Sequence, residues 1–469
     1  MNIYLIILIS YSALMIALGA FASWRVRQST DFFIAGRGLG AGYLAVTLIA
    51  ANIGAGSTVG AAGLGYRDGL AAWWWVGSAG IGSLILALTV GPKIWTIARD
   101  RNLYTVGDYL EYRYSHTVRL TVAVLLWIGS LVILSAQLIA IAWILNVVAG
   151  INKITGCLLG ALVVTVYFTA GGLHSAVRVN LLQLVVKFFG FALALIFGLK
   201  ASGSIDGLTT MLQNKLSSAS LDSYLSITGT GAAAVSRYVV ALVPSFIISP
   251  GLLQKVFGAR DGRAVRWGVG LNALCLLLFA IVPVTLGMIA RGHLAPLDNR
   301  ELALPMVLTQ VLPLWIGALL LAAIFSAEVS TADVVLFMLT TSLGKDFYKG
   351  SLRPDATDKQ LLQFTRWSAV VCGAIGAILA ILLQTVIGAL TVFYSLITAV
   401  FFLPLIGGLY WPRVTARAAL LSIAVSVPVL FVLEVALGIT NLWGAPSLLI
   451  AIAAGAIALL VAALSGGRA

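Results

Sequence analysis

Apolar runs of about twenty residues recur along this chain, separated by short polar segments rich in arginine and lysine. The runs do not alternate in polarity, as barrel strands of roughly 10 residues would. A helix rises about 1.5 Å per residue, so about 20 apolar residues cross the ~30 Å hydrocarbon layer. Thirteen such helices are expected, near 3–23, 43–66, 71–96, 119–148, 154–171, 178–199, 234–257, 268–290, 305–344, 365–384, 386–410, 416–437 and 445–464. The ninth run is too long for one simple crossing and is expected to tilt or to extend past the bilayer.

Composition points the same way. Hydrophobic residues make up 61% of the 469 and charged residues only 10%, against about 25% in an ordinary soluble domain. So few charges cannot cover a water-facing surface. In lipid the backbone is satisfied only in helices or closed barrels, so the expected fold class is all-α and integral to the membrane. The first run lacks a basic start and an Ala-x-Ala site before Arg25, and is expected to remain as a span. Cys157, Cys275 and Cys372 lie in apolar runs without metal-ligand spacing and read as small buried hydrophobes.

Charge gives an orientation. With the N-terminus outside, 21 of the 29 basic residues fall on inner segments and seven on outer ones, with Lys187 left inside a span. That bias is what the positive-inside rule requires; the chain is expected in the plasma (inner) membrane with its C-terminus cytoplasmic. It also accounts for the net charge of +13. The basic residues are dispersed at span ends rather than gathered in a patch, so nucleic acid is not expected as a partner. The lipid bilayer is.

Polar groups inside spans are costly, which makes them informative. Three places stand out. In the second run, Asn52, Gly54, Gly56, Ser57 and Thr58 weaken a helix locally, and a broken helix frees carbonyl oxygens to bind a cation near the midplane. In the ninth run, Ser326, Glu328, Ser330, Thr331 and Asp333 place two carboxylates and three hydroxyls in an apolar helix. Hydroxyls there can bond back to their own helix, but each acid must be protonated, paired or bound to a cation. Lys187 lies mid-span, too deep for easy snorkelling. It calls for an embedded acid, and Asp333 lies at a comparable depth. Glu434 lies nearer a span end and reads as structural.

At these residues the chain resembles the sodium/solute symporter family of sodium-coupled sugar, proline, sialic acid, iodide and choline carriers. The landmarks are Ala50-Ala51-Asn52-Ile53, Gly65-Tyr66, Gly69-Leu70, Gly171-Gly172-Leu173 and Gln254-Lys255, followed by Ala327-x-x-Ser330-Thr331, Lys345-Asp346-Phe347-Tyr348-Lys349 and Gly408-Leu409-Tyr410-Trp411. The resemblance implies a LeuT-type fold with two inverted five-helix repeats, at 43–200 and 234–411. One helix would precede them within 1–42, an outer loop at 201–233 would join them, and two helices would follow in 412–469. It implies a sodium site made by the carbonyls of Ala50, Ile53 and Ala327 with the hydroxyls of Ser330 and Thr331. Family members commonly carry an aspartate at the position of Asn180, and Asp333 stands where they often have a hydroxyl residue. A second ion or proton cluster of Asn180, Lys187, Glu328 and Asp333 is therefore expected. Sugar carriers have glutamine at the position of Ser57 and glutamate at that of Val76, so a sugar is not expected as solute. The solute pocket is expected among Asn52, Ser57, Trp75, Gln137, Ser245, Phe246, Ser249 and Tyr394.

The functional expectation is secondary active transport: sodium-coupled symport of a small organic solute by alternating access. A proton-coupled carrier using Glu328, Asp333 and Lys187 is the alternative in mechanism, since a lysine ammonium can take the place of a sodium ion. A membrane sensor is disfavoured by the lack of a soluble domain after the last run, and a channel by the lack of a repeated pore loop or charge ring. No constellation of catalytic side chains suggests an enzyme.

Overall fold

The computed structural model describes residues 3–23, 37–171, 176–344, 347–348, 353, 355–442 and 444–465. These are nearly all helical; Asn441–Leu442 and Ala445–Pro446 form a small antiparallel pair. Ten helices among the described residues are long and apolar enough to cross a membrane. Ile3–Leu14, Ala41–Asn52 and Lys153–Val166 are shorter apolar helices. Large apolar side chains such as Trp267, Trp315 and Leu382 stay exposed on the outside of the bundle, as a lipid-facing surface demands.

Among the described residues two helices break in mid-course, and local sequence explains both. The first runs over Ala41–Asn52, unwinds at 53–55, and resumes through a wide turn at Gly56–Gly60 into Ala61–Asp68. Ile53 leaves the helical region at φ −94°, ψ 83°. The second runs over Ala232–Ile248 and resumes at Pro250–Phe257. Pro250 lacks an N–H and disfavours helical geometry at the residue before it. Ser249 is accordingly extended, at φ −48°, ψ 117°.

The ninth run corrects an expectation. It is not one tilted crossing over 305–344 but a short helix, Ala303–Gln310, and a separate span, Leu314–Thr341. Pro313 caps the second helix and ends the continuity. Gly317 permits the fold-back, since a Cβ there would stand 1.7 Å from the Leu308 carbonyl oxygen.

The segment at 200–233 is ordered as two short helices, Ser204–Gln213 and Ser218–Tyr224, which bury Leu208, Leu212, Leu221 and Tyr224. The Tyr224 hydroxyl donates to the Gly65 carbonyl at 2.6 Å. Gly69 sits beneath it at φ +64°, where a side chain would be strained and would collide with the Tyr224 carbonyl.

A second close interhelical approach lies beside the first break. A Cβ on Gly287 would stand 2.0 Å from the Ala62 carbonyl oxygen, and one on Gly65 would stand 2.3 Å from that of Val284. Gly287→Ala is therefore expected to cost about 1–3 kcal/mol or more through overpacking against backbone. Gly42→Ala, with nothing within 4 Å of its Cβ, should leave stability unchanged or raised. Thermal unfolding of the two variants in detergent checks the contrast; equal midpoints would refute the rigid approach.

Candidate functional site

The unwound residues at 53–55 lie inside the bundle, and their backbone groups are met by side chains from four helices. Within the broken helix, the Gly54 N–H donates to Ser57 Oγ at 3.1 Å. The Ser57 hydroxyl lies 2.9 Å from the Asn52 carbonyl and 3.1 Å from that of Gly54. From the His116–Ala149 helix, Gln137 Oε1 accepts from the Ala55 N–H at 3.2 Å. From the Ala176–Ala201 helix, the Lys187 ammonium donates to the Ile53 carbonyl at 2.9 Å. Thr58 Oγ1 lies 3.0 Å from the Gly54 carbonyl and 2.9 Å from Glu328 Oε1 on the Leu314–Thr341 helix.

The same helix brings Ala327, Ser330 and Thr331 to the break. Thr331 Oγ1 would stand 3.1 Å from a Cβ on Gly54, so the two helices are in close contact there. The Thr331 hydroxyl bonds back to the Ala327 carbonyl at 2.9 Å. Ala50, Ser330 and Thr331 line the adjoining cavity, and Ile53 and Ala327 are fully buried behind them.

Lys187 meets Glu328 rather than Asp333, which corrects the depth argument. The two residues are electrostatic neighbours, without a direct hydrogen bond among the described contacts. Asp333 is five residues further on, about 140° around the helix and ~7.5 Å along it, so it faces elsewhere. It is buried, with Oδ1 unpartnered among the described residues. The side chain of Asn180 lies outside the described residues.

A cavity of about 580 Å³ opens from the break toward the end of the bundle that carries Arg119, Lys255 and the Val106–Arg113 helix. Asn52, Ser57, Trp75, Gln137, Ser245, Phe246, Ser249 and Tyr394 all line it. Several of their polar atoms are already engaged. Asn52 donates to Asn272 at 2.9 Å, Trp75 donates to the Gly56 carbonyl at 2.9 Å, and the Ser245 hydroxyl lies 2.7 Å from Thr398 Oγ1. On the other side an aromatic stack covers the break: Trp75 on Tyr394 at 5.9 Å, Phe246 on Tyr394 at 5.7 Å and Trp75 on Tyr238 at 5.6 Å between ring centroids.

Sequence reading missed two residues. Gln183 lies one turn before Lys187 on the same helix face and donates to Ser326 at 2.6 Å. The i, i+4 spacing of two polar residues in an apolar run was the available signal. Glu301, in the segment between two spans, reaches across to accept the Val386 N–H at 2.6 Å. It thereby caps the Val386–Ile397 helix that carries Phe393 and Tyr394, and no local pattern announces that long-range cap. Glu434, read as structural, accepts from Ser447 Oγ at 2.5 Å.

A helix broken in mid-membrane, packed against a polar run of a neighbouring span and beside a cavity open to one side, fits a multi-pass secondary transporter. The chain belongs to the sodium:solute symporter family, whose model matches residues 32–425, and it couples movement of a small solute to sodium. It is 27% identical over 439 residues to the sodium/pantothenate symporter of Escherichia coli (strain K12), covering 89% of this chain and 88% of that one. It is 26% identical over 461 residues to the sodium/glucose cotransporter of Vibrio parahaemolyticus, covering 89% and 82%. Among solved structures, a Na⁺-coupled sialic acid symporter in a substrate-bound outward-open state shares the fold, with a TM-score of 0.79, 19% identity and coverage of 99% and 98%. These relatives are transporters, not enzymes.

Burial pushes the Glu301 carboxyl up to about 7, against the pull of the Val386 N–H and of Arg300. An acid whose folded value is raised stabilises the fold fully below its unfolded value of 4.5, and that contribution is lost as pH rises through about 7. The span corresponds to on the order of 3 kcal/mol. The unfolding midpoint should therefore fall between pH 5 and pH 8 more steeply in the wild type than in Glu301→Gln, as measured by thermal unfolding at both pH values. Parallel pH profiles would refute the assignment.

Proposed function

We propose that sodium binds at the first break, held by the carbonyls of Ala50, Ile53 and Ala327 and the hydroxyls of Ser330 and Thr331. The observation that carries this reading is the unwound 53–55 segment lying directly against Thr331. Hard, neutral oxygen donors suit a weakly held monovalent cation that must later leave.

The wider reading is a bundle of thirteen spans. A helix within 1–42 precedes inverted repeats at 43–200 and 234–411, joined by the outer segment 201–233, and two helices in 412–469 follow. The two breaks fall in the first helix of each repeat, which supports this division. The positive-inside bias puts the N-terminus outside and the C-terminus in the cytoplasm of the inner membrane. The cavity then opens to the cytoplasm, and the aromatic stack at Trp75, Tyr238 and Tyr394 closes the outer path.

In this scheme sodium draws the broken helix onto the Leu314–Thr341 helix and favours the outward-open form. Solute binding there raises sodium affinity by the same factor by which sodium raises solute affinity. Among the described residues, the charged side chains lining the cavity are Lys255 and Arg119, the latter ion-paired with Glu111 at 2.6 Å, and none is a carboxylate. Lys255 donates to the Thr47 carbonyl at 2.6 Å. This lining favours a neutral or anionic solute over a cation. Pantothenate and sialic acid, named for two of the relatives, are both carboxylates.

Reconstituted into liposomes, the wild type should accumulate solute only under an inward sodium gradient. Ser330→Ala/Thr331→Ala should lower that uptake at least tenfold. Full activity in the variant would refute the site. Uptake driven by a pH gradient without sodium would instead favour the proton-coupled carrier built on Glu328, Asp333 and Lys187.

A further inference from the structure

The Ile53 carbonyl has two claimants. It belongs to the sodium site proposed above, and here it accepts the Lys187 ammonium at 2.9 Å. Lys187 is 2% exposed, so water does little to screen its charge. An ammonium and a sodium ion on one carbonyl would be like charges a few ångströms apart in an apolar interior, where repulsion is far stronger than in water. Glu328 stands across the unwound segment with its Oε1 on Thr58. Its Oε2 is buried and has no hydrogen-bond partner among the described residues, a costly condition for a carboxylate oxygen.

We propose that Lys187 is a tethered competitor of sodium: its ammonium holds the Ile53 carbonyl while the site is free of sodium, and swings to the open Oε2 of Glu328 when sodium enters. The inference rests on the sodium-site reading. The lysine stem is a flexible four-carbon chain, so the swing needs no helix movement. The Ala176–Ala201 helix is positioned for it, because Gln183 on the same face is fastened to Ser326. The exchange would keep the unwound carbonyl satisfied in every state of the cycle, including the empty return. It also makes sodium affinity a difference between two positions of one ammonium, so Lys187 and Glu328 are positioning residues rather than ligands.

The test uses the full chain purified in detergent. Sodium is titrated against N-methyl-D-glucamine at constant ionic strength, and the rise in unfolding temperature is read as binding. Glu328→Gln removes the charge that receives the ammonium, and should raise the half-saturating sodium concentration at least tenfold. Adding Lys187→Met removes the competitor, and should bring half-saturation back to within threefold of wild type or below it. The proposal is overturned if Glu328→Gln binds sodium as the wild type does, or if the double variant stays as weak as Glu328→Gln alone. Should Glu328→Gln fail to fold, the charge-free double variant decides: half-saturation more than tenfold above wild type overturns the proposal. Ser330→Ala/Thr331→Ala in the same assay separates the two ideas. Loss of sodium stabilisation there upholds the site, whatever the lysine result. Its retention overturns the site, and this inference with it.

Discussion

A helix that stops and restarts inside an apolar bundle leaves carbonyl and N–H groups without their helical partners. Each such group costs several kcal/mol if left unpaired. Residues 53–55 are in this position, and much of the polar content of the surrounding spans answers to them. Ser57 and Thr58 turn back from the following helix. Gln137 comes from a second helix and Lys187 from a third. Glu328 enters through Thr58. These side chains look scattered along the chain, yet they converge on three residues of backbone.

The same constraint underlies the proposed sodium site. Once carbonyls are freed from a helix, they are strong ligands for a hard cation, and the hydroxyls at Ser330 and Thr331 add neutral oxygen donors beside them. The site joins two helices that need not move together. A cation seated there couples its own binding to the angle of the broken helix, and through Trp75 on Gly56 to the aromatic cover above the cavity. Glu301 acts on the opposite flank, fixing the start of the helix that supplies Tyr394. The proposed ion site and the aromatic cover are thus linked through packed elements rather than through a flexible loop.

The glycines at 65 and 287 show why the moving parts stay registered. Their missing side chains let the second half of the broken helix lie backbone to backbone against the Ile281–His293 helix. Small residues are the means by which membrane helices approach closely, since lipid gives little drive for apolar faces to associate. In the 200–233 segment, buried Leu208, Leu212, Leu221 and Tyr224 add a soluble-type contact over that pair.

Much of this was legible in the chain itself. Apolar runs near twenty residues, their lack of alternation and the scarcity of charge determined a helical membrane protein, because lipid leaves the backbone few options. Gly54 and Gly56 marked the first break, and the run from Ser326 to Asp333 marked the helix that faces it, because polar groups in a span need a reason to be there. What only the tertiary structure decided is which of those groups meet. Depth along a span suggested Asp333 for Lys187. Rotation around the helix selected Glu328, about 140° away from it, and linear position carries little information about the rotation of packed helices. Pro313 likewise split a run that length alone had joined. The Glu301 cap on Val386 spans 85 residues, and contacts at that separation arise from packing, not from any local pattern.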